Sequence, residues 1–255
     1  MSAEFDNDPD FNEGISKPKA WRRPRLFEIL AVIGIIGVLI GLLLPAHRSS
    51  GPAGRGAQCQ SNLHNIELAL LSYQNAYHAL PPAYTVDSNG RPLHSWRTLI
   101  LPYLENQDLY DTINLSIPWN DPANAHALET VIGVFRCPET TGPKYSTTFL
   151  AIVGTNACLL PTKPRPPAEI TDGTSSTLML IEAGDENAVP WMAPMDADES
   201  LVLGLGLKSK LHHASGTNAG FADGAVRFLP TSISAQLRRA LMSISGHESV
   251  TLDNW

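Results

Sequence analysis

Residues 26–44 read LFEILAVIGIIGVLIGLLL, an apolar run in which Glu28 is the single charge. The run comes close to the ~20 residues that a helix needs to cross the hydrocarbon core of a bilayer. A carboxylate within lipid is costly, so an acid inside such a span marks a functional position with a partner. Lys17, Lys19, Arg22, Arg23 and Arg25 stand before the run, and Arg48 and Arg55 after it. This asymmetry predicts a single-pass protein of the cytoplasmic membrane, with its N-terminus in the cytoplasm and its C-terminal part exported to the periplasmic side. Glu4, Asp6, Asp8, Asp10 and Glu13 make the first residues acidic and polar, the composition of a disordered tail. A cleaved secretory signal is the rival reading. Its apolar core would be ~7–15 residues, shorter than this one, and Leu44-Pro45-Ala46-His47 lacks a small-x-small cleavage pattern. The expected organisation is therefore a cytoplasmic tail over 1–25, a transmembrane helix over 26–45 and an exported domain over 46–255.

Of the 255 residues, about 200 follow the run, enough for one ordinary domain with its own core. The net charge is -7 although much of the basic charge sits beside the apolar run, so the exported part is acidic. No basic stripe or aromatic-plus-arginine pattern suits nucleic acid. With 19 Gly and 20 Pro, the chain favours a loop-rich α+β domain over a helical bundle. Cys59, Cys137 and Cys158 are too few and too widely spaced for a zinc cluster. In an exported domain Cys59 and Cys137 could form a disulfide that ties a stem helix to the sheet, leaving Cys158 over. Three buried free thiols are the alternative.

The remaining pattern separates helices from strands. Over 57–77, Leu63, Ile66, Leu70, Tyr73 and Tyr77 recur three or four apart, which predicts one amphipathic helix closed by Leu80-Pro81-Pro82. Residues 51–56 mark an expected break before it. Short helices are expected over 95–109, interrupted at Pro102, and over 123–132, ahead of a strand-like stretch from Val134 to Pro138. Runs 148–153 and 176–182 are strand-like. Thr171-Asp172-Gly173-Thr174 reads as a turn in which Asp172 caps its own backbone. Residues 219–229 form the clearest hairpin, turning at Asp223-Gly224. A last amphipathic helix is expected over 234–244 on Leu237, Leu241 and Ile244. Helices first and strands later indicate an α+β fold with an antiparallel sheet packed on the stem helix.

Several segments carry a resemblance. They are FEILAVIGIIGVLIGLLLPA, QCQSNLHNIELALLSYQNAY, LPPAY, SWRTLILPYLENQDLYDTIN, PWNDPANA, FRCPE, EITDGTSSTLMLIEAG, VPW and HASGTNAGFADGAVRFL, in that order. With them the chain resembles a large planctomycete family of pilin-like proteins of unknown function, which have a prepilin-type N-terminal helix and a C-terminal His-x9-Asp-Gly motif. Here the motif is His213 with Asp223-Gly224. The resemblance implies a pilin-like α+β fold and a pseudopilin-type structural subunit, as in type II secretion, that associates with itself or with other pilin-like subunits. In pilins the acid matching Glu28 is thought to neutralise a neighbour's N-terminal amine during assembly. The chain departs from the prepilin pattern at Arg23-Pro24, which stand where Gly and Phe belong, so processing there is not expected. Glu28 would then pair with Arg22, Arg23 or Arg25, or reach the membrane interface.

Each other candidate has a structural reading beside a functional one. His213 and Asp223 could be a general-base pair or metal ligands. The expected reading is that His213 braces the loop before the hairpin and Asp223 serves the turn. His212-His213 alone is short of a metal pattern. Asp172, Asp196, Asp198 and Asp223 are candidate calcium ligands, since some pseudopilins bind calcium in a C-terminal loop. Trp96, Trp119 and Trp191 are expected as buried anchors rather than sugar-stacking platforms. No cofactor is implied, and no motif supports nucleophilic or two-carboxylate catalysis. The expected function is a membrane-anchored structural subunit, with an anchored binding module for a glycan or another ligand as the alternative.

Overall fold

The structure, a computed structural model, describes residues 26–43, 51–206 and 209–247. The acidic tail, the basic cluster before the apolar run, Arg23-Pro24, Pro45 and Arg48 lie outside the described residues. The chain divides into two units, Met1–Ser49 and Ser50–Trp255.

In the first unit, α1 (Leu26–Leu43) is a continuous helix of 18 residues with Glu28 in its first turn. At 1.5 Å per residue it is about 27 Å long. That is just short of a ~30 Å hydrocarbon core, and among the described residues no helix is long and apolar enough to cross a membrane.

The second unit is α+β. It begins with α2 (Pro52–Tyr77), which has Pro at its first turn, where a missing N–H costs nothing. Residues 52–56, expected as a break, are helical. The helix ends at His78, whose φ of 59° leaves the helical region just ahead of Pro81-Pro82. Leu63, Ile66 and Leu70 are fully buried, while Tyr77 at the predicted stripe's end is 63% exposed.

The polypeptide then makes a small hairpin of β1 (Tyr84–Val86) and β2 (Pro92–Ser95), followed directly by α3 (Trp96–Leu99). A 3-10 turn starting at Leu101 accommodates Pro102, and α4 (Gln107–Asp111) and α5 (Ala125–Glu129) follow as single turns. Val134 and Phe135 belong to a 3-10 turn, not to the strand their apolarity suggested. Phe135 is buried by packing on Trp191, with ring centroids 5.9 Å apart, so the apolar signal there reflected core contact without strand pairing.

The main sheet is antiparallel in the order β4 (Phe149–Ala151), β5 (Leu178–Glu182), β7 (Gly216–Phe221) and β8 (Val226–Pro230). A separate pair joins β3 (Ser146–Thr147) to β6 (Val189–Pro190). Every residue of β5 and β7 is buried, as expected for inner strands covered on both faces. One core joins Leu63, Ile66 and Leu70 of α2 to Phe149, Met179 and Leu180. The other joins Leu150, Ile181 and Phe221 to Val202 of α6 (Glu199–Gly204) and Leu241 of α7 (Ala235–Met242). Ser234 caps α7 by accepting from Leu237 N–H at 3.1 Å.

Candidate functional site

Glu182 is the last residue of β5 and is buried, although an acid at the end of LMLIE would be expected to reach water. Three neighbouring segments supply its partners. Asn218 on β7 donates from Nδ2 to Oε2 at 2.7 Å, and His213 Nε2 lies 3.0 Å from the same oxygen. His212 Nδ1 is 3.5 Å from Oε1, an ion-pair contact without hydrogen-bond geometry, and leaves Oε1 with no hydrogen-bond partner. Thr217 Oγ1 donates to the Glu182 carbonyl. His212 Nε2 donates onward to Asp185 Oδ1 at 2.9 Å, and Asp185 also accepts from Thr140 Oγ1, from Thr141 N at 3.0 Å and from Thr141 Oγ1 at 2.6 Å. A charged chain thus runs from the end of β5 to the loop that follows Cys137.

The loop carrying the two histidines is held against β5 by a close backbone approach. A Cβ on Gly184 would lie 2.3 Å from the Lys210 carbonyl, so only glycine permits this contact. Burial alone would raise the Glu182 carboxyl, but the polar contact from His212, hydrogen bonds from His213 and Asn218 and the charge of His213 outweigh it and hold the group below its ordinary range. Burial would likewise lower His212, yet Glu182 and Asp185 raise it overall. Asp185 is lowered because bonds from Thr140, Thr141 and His212 outweigh its burial.

Cys59 on α2 and Cys137 are joined by a disulfide, with Cα atoms 4.7 Å apart across 78 positions of sequence. It staples α2 to the loop of the Asp185 chain, and Cys158 is a buried free thiol. His213 Nε2 is 4.0 Å from Cys137 Sγ. One sulfur from each cysteine, one Glu182 oxygen and one His213 nitrogen lie within 4.8 Å of one another. While the disulfide is closed the sulfurs are not thiolates, and only Glu182 and His213 remain as strong donors.

His213 and Asp223, the two ends of the sequence motif, do not meet. They flank β7, whose six residues span about 20 Å. Asp223 Oδ1 accepts from Ala225 N at 3.0 Å in the turn, Gly224 takes φ 85°, and His64 on α2 donates from Nδ1 to the Gly224 carbonyl at 3.1 Å. The motif therefore places a histidine at one end of a strand and a turn at the other, and it is not a general-base pair. The calcium candidates also stay apart. Asp172 accepts from Gly246 N at 2.6 Å and His247 N at 2.9 Å, bracing the chain after α7 instead of capping its own turn. Asp196 is buried against Arg97 at 2.6 Å and accepts from Trp96 Nε1 at 3.0 Å, while Asp198 caps α6 through Leu201 N. Carboxylates already committed to donors in separate places form no shared calcium shell. Trp96 and Trp191 are buried and unable to stack on a sugar, and Trp119 packs partly against the core. Glu28 lies in the first turn of α1.

Two acids escaped the sequence reading. Glu182 had one available signal, an acid closing an otherwise apolar strand. Glu67 had none, because it occupies a helical position next to the apolar stripe. It is fully buried, and neither of its oxygens has a hydrogen-bond partner. Burial, followed by the nearby Asp223 charge, raises it well above its ordinary value, which favours the neutral acid.

Fold and site together define a class: an α+β domain with a long helix on an antiparallel sheet, stapled by one disulfide. Residues 51–158 match a family described as "Protein of unknown function (DUF1559)". The matched region contains both bonded cysteines and ends before Glu182, His213 and the Asp223-Gly224 turn. No curated protein and no solved structure matches the chain.

Proposed function

We propose that the chain is a membrane-anchored, pilin-like structural subunit of a filament or of a type II secretion-like apparatus. The observation that carries this reading is the surface of α1. Leu26, Phe27, Leu30, Ile33, Ile35 and Val38 are each at least 59% exposed, and Ile29, Val32 and Ile36, between 42% and 55% exposed, complete the apolar circuit of the helix. A helix that is apolar on every side belongs in lipid or among other helices. The apolar run of the sequence extends past α1 to Leu44, which brings it closer to bilayer thickness. The basic flank before it supports a cytoplasmic N-terminus and an exported domain.

Glu28 supplies the assembly contact in this reading. A carboxylate carried into lipid costs about 3 kcal/mol on insertion scales. In a bundle of parallel helices, the basic N-terminal region of a neighbouring subunit offsets that cost. Replacing Glu28 by Leu should leave membrane insertion intact or improve it, while cross-linked multimers in native membranes disappear. If multimers survive Glu28→Leu unchanged, or the parent protein has none, the filament reading fails. An anchored domain that binds a ligand then becomes the better account.

A further inference from the structure

We propose that reduction of the Cys59–Cys137 disulfide opens a divalent-metal site in which both thiolates, His213 and Glu182 are the ligands, with Zn2+ the best-matched ion. This rests on the second unit alone and is independent of the membrane reading. The four donor atoms come from α2, the segment after Phe135, the end of β5 and the loop before β7, yet they lie within 4.8 Å of one another. Two sulfurs, one imidazole nitrogen and one carboxylate oxygen make a donor set of the kind that tetrahedral zinc takes, with Zn–S about 2.3 Å and Zn–N about 2.0 Å. In such a tetrahedron neighbouring donors stand roughly 3–4 Å apart. His213 Nε2 is already 3.0 Å from Glu182 Oε2 and 4.0 Å from Cys137 Sγ. The two bonded sulfurs must move apart, which breaking their bond allows.

A second observation points to a cation here. Glu182 is buried, and its Oε1 has no hydrogen-bond partner. Oε1 has only the His212 Nδ1 contact at 3.5 Å; a buried acid so poorly satisfied is costly in a protein interior, and a cation held by the carboxylate offsets that cost. The surroundings also resemble the outer shell of a metal site: Asn218 fixes Glu182 from Nδ2 at 2.7 Å, and His212 links it to Asp185. Oxidised and reduced chains then use the same four residues differently. A dithiol reductant passes two electrons and two protons to the disulfide and becomes a disulfide itself. Zn2+ then displaces the two thiol protons, and His213 binds through the Nε2 lone pair with its proton on Nδ1. After metal loss, thiol–disulfide exchange with a disulfide oxidant, which takes up the two electrons and two protons and becomes a dithiol, restores the staple.

The test uses the full chain in detergent. A phosphine reduces the disulfide, with water supplying the oxygen of the phosphine oxide, and Co2+ is added without oxygen as a spectroscopic stand-in for Zn2+. The expected result is one Co2+ per chain, with thiolate-to-cobalt charge-transfer bands and the intense visible bands of tetrahedral cobalt, both lost on adding Zn2+. The unreduced protein should show neither. Asn218→Ala should weaken binding by about 10–100-fold, as outer-shell changes do, and His213→Ala or Glu182→Gln by more, while Cys158→Ser leaves it unchanged. The proposal is overturned if the reduced chain binds no Co2+. It is equally overturned if His213→Ala and Glu182→Gln bind like the parent, because the cysteines alone would then account for the metal. Loss of the circular-dichroism signature on reduction that Zn2+ does not restore also counts against it.

Discussion

Removing the staple between Cys59 and Cys137 has an effect that can be worked from the structure. The bond closes a loop of 78 positions. In the chain-entropy treatment a loop of that length restricts the unfolded state by about 15 cal/mol/K, or about 4.5 kcal/mol at 25 °C. Measured losses for native disulfides run from about 2 to 5 kcal/mol, so the entropic figure is an upper value. Both cysteines are buried, so the double variant Cys59→Ala/Cys137→Ala also loses a little packing. For a domain of this size each kcal/mol moves the melting temperature by about 2–4 °C. The expected drop is therefore on the order of 10 °C. Thermal unfolding followed by circular dichroism, on the full chain in detergent with a chelator present, compares parent and double variant under non-reducing conditions. Reducing the parent should reproduce the variant's curve. Alkylation of both thiols without prior reduction, or a melting temperature that reduction leaves within about 2 °C, would refute the reasoning.

Three further outcomes are expected. A phosphatase fused after residue 255 should be active and a cytoplasmic reporter at the same place silent; the opposite pattern would remove the export assignment. Glu67 is raised above its ordinary 4.5 by burial, so the folded state holds its proton more tightly than the unfolded chain. Its contribution is fully present below pH 4.5 and falls by up to about 1.4 kcal/mol per pH unit until the raised value is passed. Glu67→Gln should remove that decline, and urea-unfolding stabilities of parent and variant that run parallel across pH 5–8 would contradict it. Gly220→Ala would bring a Cβ to 1.7 Å from Glu67 Oε1, which forces the buried Glu67 side chain out of its place between α2 and β7. A loss of about 1–3 kcal/mol follows, as for other overpacked cores, and Glu67→Ala in the same chain should recover most of it; additive effects in the double-variant cycle would disprove the contact.

Periodicity and turn chemistry in the sequence determined most of the second unit's elements. Leu63, Ile66 and Leu70 mark the buried face of α2, and Asp223-Gly224 marks the β7–β8 turn, because spacing of apolar residues and the demand for positive φ are local properties. The start of α2 was less clear, since Gly54 and Gly56 weaken a helix without breaking one when packing holds it. Val134 and Phe135 carry a strand-like pattern yet form a 3-10 turn for a related reason: burial leaves the same apolar signature whether a segment pairs in a sheet or packs as a turn. Asp172 carries turn chemistry, but its donors come from Gly246 and His247, which no local pattern could connect to it.

The candidate site was decided only by tertiary structure. The sequence motif joined His213 to Asp223, yet an extended strand between them carries the two to opposite ends. The partner of His213 is Glu182, which reaches it only because β5 pairs with β7 in one register. The cysteine pairing and its approach to His213 likewise depend on where α2 crosses the sheet. Local patterns specify helices, strands and turns because their physics acts over a few residues. A cluster of side chains from four segments depends on how those elements pack, and no single stretch of this sequence contains that information.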